Sequence, residues 1–192
     1  KNPALLAQAL VLSKDLSAPE KITQSCFEFV RDEIKHSWDY KLGPVTYKAS
    51  DVLKYGTGFC YAKSHLLAAL LRANNIPTGL CYQRLTITDN PPFCLHGLNA
   101  VYLEPFGWHR IDARGNKKGV SADFCPPIEK LAFPILVDGE ADLPEIWTEP
   151  LSVVVQALRQ HKTIQDVSDN LPDIHLITVN KSIQPTAKAS AD

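Results

Sequence analysis

No stretch of this 192-residue chain approaches the roughly 20 consecutive apolar residues that a membrane-crossing helix needs, and no charged segment followed by an apolar run opens it. This predicts a cytoplasmic protein with no membrane partner. Methionine is absent altogether and the chain starts at Lys1, so a leader removed ahead of that residue is left open. Cys-x-x-Cys pairs are missing as well. The five cysteines stand at 26, 60, 81, 94 and 125, an odd number without paired spacing, which argues against a disulfide framework and against a zinc knuckle. They are expected to be mostly reduced. An excess of charge of either sign is lacking too: the formal net charge is -1, so nothing points to a nucleic-acid partner. There is no internal repeat. With 45% hydrophobic and 21% charged residues the composition is that of an ordinary globular protein, and the length suits one domain with a sizeable core, or two small lobes around a cleft.

What the chain does have is the run Tyr55-Gly56-Thr57-Gly58-Phe59-Cys60-Tyr61-Ala62-Lys63-Ser64, followed by apolar residues at helical spacing to Ala73. Two glycines release the backbone into a tight turn, so Cys60 falls at or just inside a helix N-terminus. The unpaired amides and dipole there favour thiolate over thiol, and the same amides can stabilise an oxyanion on an attacked carbonyl. The alternative is a small buried hydrophobe, the usual fate of a free cysteine. Ala62, Leu66, Ala69, Leu70 and Ala73 form one buried face, widened by Leu67 and Leu71; Asn74-Asn75 and Pro77 end the helix near Ala73. His65, one turn after Cys60, is read as a partner of the helix surface.

Upstream, Pro3 to Leu12 fits a short helix. A second has Ser17 as its cap, Glu20 three residues on, and Ile22, Cys26, Phe29, Val30 and Ile34 on one stripe. His36-Ser37-Trp38-Asp39-Tyr40-Lys41 brings aromatics ahead of Cys60, either lining a substrate cleft and lending an oxyanion donor or packing on the core as an amphipathic loop. One further helical turn, capped by Ser50 or Asp51, delivers the chain to Tyr55. From Thr78 the period changes to two and predicts a strand; His96 to Leu103 and Trp108 to Asp112 follow as an antiparallel hairpin about Glu104-Pro105-Phe106-Gly107. Frequent prolines from 120 to 150 predict loops and short edge strands, with Leu131 to Val137 in the sheet. Helices are expected over Leu151 to His161 and ending near Ser168 to Pro172, and 181–192 should form a flexible tail.

A cysteine nucleophile needs a base within hydrogen-bond reach, and the base needs a third group to orient it. His96 and Asp112, one on each hairpin strand, are the natural pair. Side chains on one face of an antiparallel pair touch only if the register is even, which requires an odd-length loop or a bulge between the strands. His109, alternating with Trp108 and Arg110, reads as a solvated or partner-facing ring. His96, His109 and Cys94 lack the spacing of a tetrahedral site, so no metal is expected.

Gly58-Phe59-Cys60-Tyr61-Ala62-Lys63-Ser64 through Ile76-Pro77, then His96 with Val101-Tyr102-Leu103, then Gly107-Trp108-His109-Arg110-Ile111-Asp112, resembles the transglutaminase-like superfamily of the papain-like cysteine fold. Three separate motifs occur in that family's order, over roughly residues 20 to 125. The resemblance implies an α+β fold with the nucleophile-bearing central helix packed on an antiparallel sheet. It implies Cys60 as nucleophile, His96 as general base and acid, and Asp112 as orienter, passing an acyl group from a peptide or glutamine-type amide through a thioester to water or an amine, with no cofactor. The expected partner is a peptide or protein substrate, with an amine acceptor as the alternative to water; a non-catalytic binding module retaining the fold is the reading from another class. Candidates for the second oxyanion donor and cleft are Trp38, Tyr40, Gly58 and Tyr61. The chain departs from the family at His96-Gly97-Leu98, where His-Ala-Trp is common, and at Ala113-Arg114, where Pro-Thr is common. It is expected to form a single domain over 1–180, with 126–180 as an elaboration that matches no known motif.

Overall fold

The computed structural model describes residues 2–176, and the tail expected over 181–192 lies outside them. Asn2 caps α1 (Pro3–Leu12), its side-chain oxygen accepting from the amides of Ala4 and Leu5. The next helix, α2 (Pro19–Glu28), starts with proline at its first position behind Ala18. Ser17 therefore stands outside it and does not cap it, because the proline ring already presets the first helical φ. The last turn of α2 widens into a π-helix over Phe29–Glu33. Then come β1 (Lys35–His36), α3 (Ser37–Tyr40), α4 (Ala49–Tyr55) and β2 (Thr57–Gly58). Lys48 precedes α4, and neither Ser50 nor Asp51 caps it.

The central helix, α5 (Cys60–Ala73), is buried along nearly its whole length. Its Leu66, Leu67, Leu70 and Leu71 are fully buried, each contributing about 2 kcal/mol of transfer free energy. Asn75, in the left-handed region at φ 58°, turns the chain out of the helix ahead of Pro77.

The strands β3 (Thr78–Thr86), β4 (Phe93–Leu103) and β5 (Gly107–Ile111) form an antiparallel sheet in the order β5-β4-β3, with β8 (Ala141–Asp142) beyond β3. Before β8 comes a small hairpin of β6 (Asp123–Cys125) and β7 (Ile128–Lys130). Alternation sorts the sheet's two faces. Leu80, Tyr82, Leu95, Val101 and Ile111 join the core around α5, whereas Cys81, Leu98 and Ala100 form a second cluster covered by Leu131. Leu131 to Val137 is not a strand: Pro134 has no N–H for a ladder, and the segment crosses the second face as irregular chain. His109 is buried with its ring edge toward Phe124, so it does not face solvent. Finally α6 (Ser152–Gln160) and α7 (Ile164–Asp169) bury Val154, Leu158 and Val167 in the main core.

The register of β4 on β5 decides where the chemistry goes. Leu103 pairs with Gly107 and Tyr102 with Trp108, leaving the three-residue loop Glu104-Pro105-Phe106. Gly107, at φ +71°, supplies the left-handed residue that such a loop needs. The index sum is even, so His96 and Asp112 emerge on one face of the sheet.

Candidate active site

Cys60 is the first residue of α5 and is almost fully buried at 8% exposure. The turn before it is braced from several sides. β2 pairs in parallel with β1, setting Gly58 beside His36. Thr46 donates to the Thr57 carbonyl (2.9 Å), and Thr57 donates to the Lys35 carbonyl (3.0 Å). At Gly58 a Cβ would stand 3.0 Å from the Ala62 Cβ and 3.1 Å from the Thr46 hydroxyl, so only glycine lets the turn fold this close to the helix. Among the described residues no side chain caps α5, and its first-turn amides have no side-chain partner.

The helix start lies directly against β4. A Cβ on Gly97 would meet both Cα and Cδ1 of Tyr61 at 3.0 Å, and the Tyr61 hydroxyl donates to the Leu95 carbonyl. The missing side chain at Gly97 therefore brings Cys60 alongside its neighbour on β4, His96. The imidazole Nε2 is 2.7 Å from Oδ2 of Asp112, which leaves Nδ1 for the thiol. Cys60 shares the cleft with the ring and is near enough for its charge to act on it. Burial alone would push the His96 pKa down. The Asp112 and Cys60 charges, with the hydrogen bond to Asp112, outweigh it and raise the pKa to about 10.

Asp112 has no exposed surface. Besides His96 it accepts from the Arg114 amide (3.1 Å) and from the Ala132 amide (3.0 Å). Burial would raise its pKa, but the imidazole and these two amides hold it below the ordinary carboxylate range. The Phe133 ring then stands edge-on to His96 at 5.0 Å between centroids. Ala132 and Phe133 were invisible in the sequence, since no periodicity marks a segment that acts through one amide and one ring.

Arg114, a departure from the family pattern, does more than follow the aspartate. Its guanidinium grips Asp39 of α3 at 2.6 and 3.1 Å, and Lys117 reaches the same carboxylate at 2.6 Å. Desolvation would raise the Asp39 pKa, but the two cations bring it to about 2. The loop after β5 is thus tied to the segment that carries His36 and Trp38. His36 is buried and its pKa lies well below the usual imidazole value, chiefly through desolvation.

Cys60 and His96 open on a cleft of about 380 Å³ whose walls include Trp38, Phe59 and Phe133. Of the other residues singled out from the sequence, Gly58 and Tyr61 position the turn and helix from beneath and do not line the cleft. Tyr40 is 56% exposed and lines a separate hollow with Arg31 and Lys63, because residues two apart on the helical turn of α3 point to opposite sides. Trp38 alone of those four faces the cleft. His65 does not line the cleft; its Nδ1 donates to the Tyr47 carbonyl at 2.8 Å.

The profile described as the Transglutaminase-like superfamily matches residues 7–113. Among solved structures, the chain is similar to a candidate cysteine protease from Cytophaga hutchinsonii at 22% identity, over 58% of this chain and 37% of that one, with a TM-score of 0.45. It is similar also to the periplasmic domain of TgpA from Pseudomonas aeruginosa, at 21% identity over 58% and 42%, again with a TM-score of 0.45. A candidate protease from Parabacteroides distasonis matches at 13% identity over 69% and 28%, also at 0.45. The chain thus spans less than half the length of each of these structures. No curated protein matches it.

Proposed function

This chain belongs to the Transglutaminase-like superfamily, and on that footing we propose that it is a thiol-dependent acyl-transfer enzyme, a cysteine peptidase or amidase acting on a peptide or protein. The Cys60 sulfur attacks the carbonyl carbon of a bound amide while His96 carries the proton. Charge growing on the carbonyl oxygen meets the unpaired amides at the start of α5. The C–N bond breaks as His96 protonates the leaving nitrogen, leaving a thioester on Cys60. Water, deprotonated by the same ring, then attacks the thioester and releases a carboxylic acid and the thiol. Asp112 keeps Nε2 engaged, so Nδ1 stays turned toward sulfur and the imidazolium has a counter-charge. One juxtaposition carries this reading: a buried His96–Asp112 pair at 2.7 Å in the same cleft as a helix-start cysteine.

Water is favoured over an amine as acceptor by the charge of the cleft. Among the described residues no Asp or Glu lines it, while Arg114 and Lys117 do. An approaching ammonium would meet two cations that share a single carboxylate, Asp39, behind the wall, and so a net positive charge. A non-catalytic module would be marked by loss of a reacting group, and Cys60, His96 and Asp112 are all present. We assign the chain to the cytoplasm on its five unpaired cysteines; among the described residues no helix is long and apolar enough to cross a membrane.

Incubation with a peptide library in oxygen-18 water, with and without a primary amine, tests the proposal by mass spectrometry. Hydrolysis places the heavy oxygen in a new carboxylate, and amine transfer gives an amide adduct instead. No product from the unmodified protein, or equal product from Cys60→Ala, would end the enzymatic reading.

A further inference from the structure

We propose that the acyl donor received over Cys60 presents apolar side chains to the cleft, so that leucine- or phenylalanine-rich segments are taken in preference to glutamine or charged ones. This rests on the thiol-enzyme reading above and names the substrate class of that site.

The cleft wall is built from elements far apart in sequence, and what they contribute is mostly hydrocarbon. Trp38 comes from α3, Leu85 and Ile87 from the end of β3 and just beyond it, Val120 and Phe133 from the loops after β5, and Leu171 from the chain after α7. Ile87 is 67% exposed, an aliphatic side chain left standing at the rim of a concave surface. At about 380 Å³ the cleft has room for one or two large side chains.

Most polar groups in the same wall are already engaged; among the described residues His36 Nδ1 is a buried exception, without a hydrogen bond and 3.6 Å from the Asp39 carboxylate. The Thr86 hydroxyl donates to Glu140 at 2.7 Å. Arg114 and Lys117 share Asp39, and His96 holds Asp112. A glutamine carboxamide entering here would give up its water for few new hydrogen bonds, at a net cost. A lysine side chain would leave its ammonium beside two cations that outnumber the one Asp39 carboxylate they share, and a glutamate would have to compete with Asp39 for those cations while giving up its own hydration. An aliphatic or aromatic side chain gains burial and displaces nothing bonded.

Dipeptidyl chloromethyl ketones with two identical residues test this without any turnover. The Cys60 sulfur displaces chloride to form a thioether, and the second-order rate is followed by intact mass and peptide mapping. Using paired residues removes any dependence on which of the two side chains enters the cleft. The Leu-Leu and Phe-Phe reagents should modify Cys60 on the order of tenfold or more faster than Gln-Gln, Glu-Glu or Lys-Lys. Ile87→Glu, a change at an exposed position that the fold tolerates, should lift the Lys-Lys rate severalfold relative to Leu-Leu. Comparable rates across the five reagents, a preference for Gln-Gln, or ratios unmoved by Ile87→Glu would overturn the inference. Alkylation needs only the thiol and the cleft. Selective labelling without hydrolysis of any peptide would therefore refute the peptidase reading and leave this one standing, and hydrolysis without selectivity would do the reverse.

Discussion

His96 Nε2 and Asp112 Oδ2 stand 2.7 Å apart across β4 and β5, sixteen residues apart in the chain, with the carboxylate fully buried and the imidazole nearly so. The carboxylate accepts from three donors there, and the imidazole is the one that can lose a proton. Asp112→Asn removes the counter-charge and turns an NH₂ group toward at least one of those donors. The His96 pKa should fall, and turnover should drop on the order of 10²–10⁴-fold. Stability should fall by about 1–3 kcal/mol for the mispaired donor. NMR titration of the ring alongside a rate measurement checks both; an unmoved His96 titration would contradict the pairing.

Gly97 is predicted to be irreplaceable for a steric reason. In Gly97→Ala the new Cβ meets the Tyr61 backbone 3.0 Å away, and neither strand nor helix start can shift without moving Cys60 relative to His96. A cost of about 1–3 kcal/mol in urea unfolding is expected, together with a loss of activity larger than the loss of folded protein explains. Unchanged activity would mean the approach of α5 to β4 is looser than described.

The pH dependence of stability carries two opposed contributions. His96, raised to about 10, adds stability that is complete below its unfolded value of about 6.5 and is lost as pH rises to about 10. Lys63, lowered to about 7 mainly by burial, holds the Ile34 and Arg31 carbonyls at the end of the π-turn. Its charge costs stability below pH 7, and that cost fades as pH rises toward its unfolded value of about 10.4. The two overlap, so the informative quantity is the difference in Tm between the unmodified protein and His96→Gln. That difference should shrink steadily from pH 6.5 to 10; a constant difference would show that His96 is not the raised group.

Arg114→Met leaves Asp39 with Lys117 as its remaining cation in a mostly buried place. A loss of about 3 kcal/mol is expected, and Arg114→Met combined with Asp39→Leu should recover part of it, since the unpaired carboxylate is then gone as well. Urea melts of the three variants form the cycle. A double variant less stable than the sum of the singles would contradict the pairing.

Much of this arrangement could be read in advance because it is local. The glycine turn before Cys60, the stripe of α5 and the two-residue period of β3 each need only neighbouring residues. Parity required His96 and Asp112 to share a face through an odd-length loop, and Leu103 pairs with Gly107 accordingly. What stayed hidden acts over distance. Asp39 and Arg114 are 75 residues apart, and nothing in either neighbourhood announces the other. β8 is two residues long, too short to show a period, and it is β8 and not Leu131 to Val137 that joins the sheet, beside β3. Tyr40 and Trp38 were indistinguishable as cleft residues because they lie in one short helical turn, and only the direction of α3 separates them.

The central claim, that Cys60 is the nucleophile and His96 its partner, is tested most directly by comparing two thiols in one cleft. Cys94 lines the same walls as Cys60, but burial pushes its pKa up to about 12, as it does for Cys26 and Cys81. Brief iodoacetamide treatment of the folded protein at pH 7, followed by peptide mapping, should therefore find the label on Cys60 with Cys94 untouched, and His96→Ala should slow that labelling at least tenfold. Equal labelling of Cys60 and Cys94, or a Cys60 rate indifferent to His96→Ala, would contradict it.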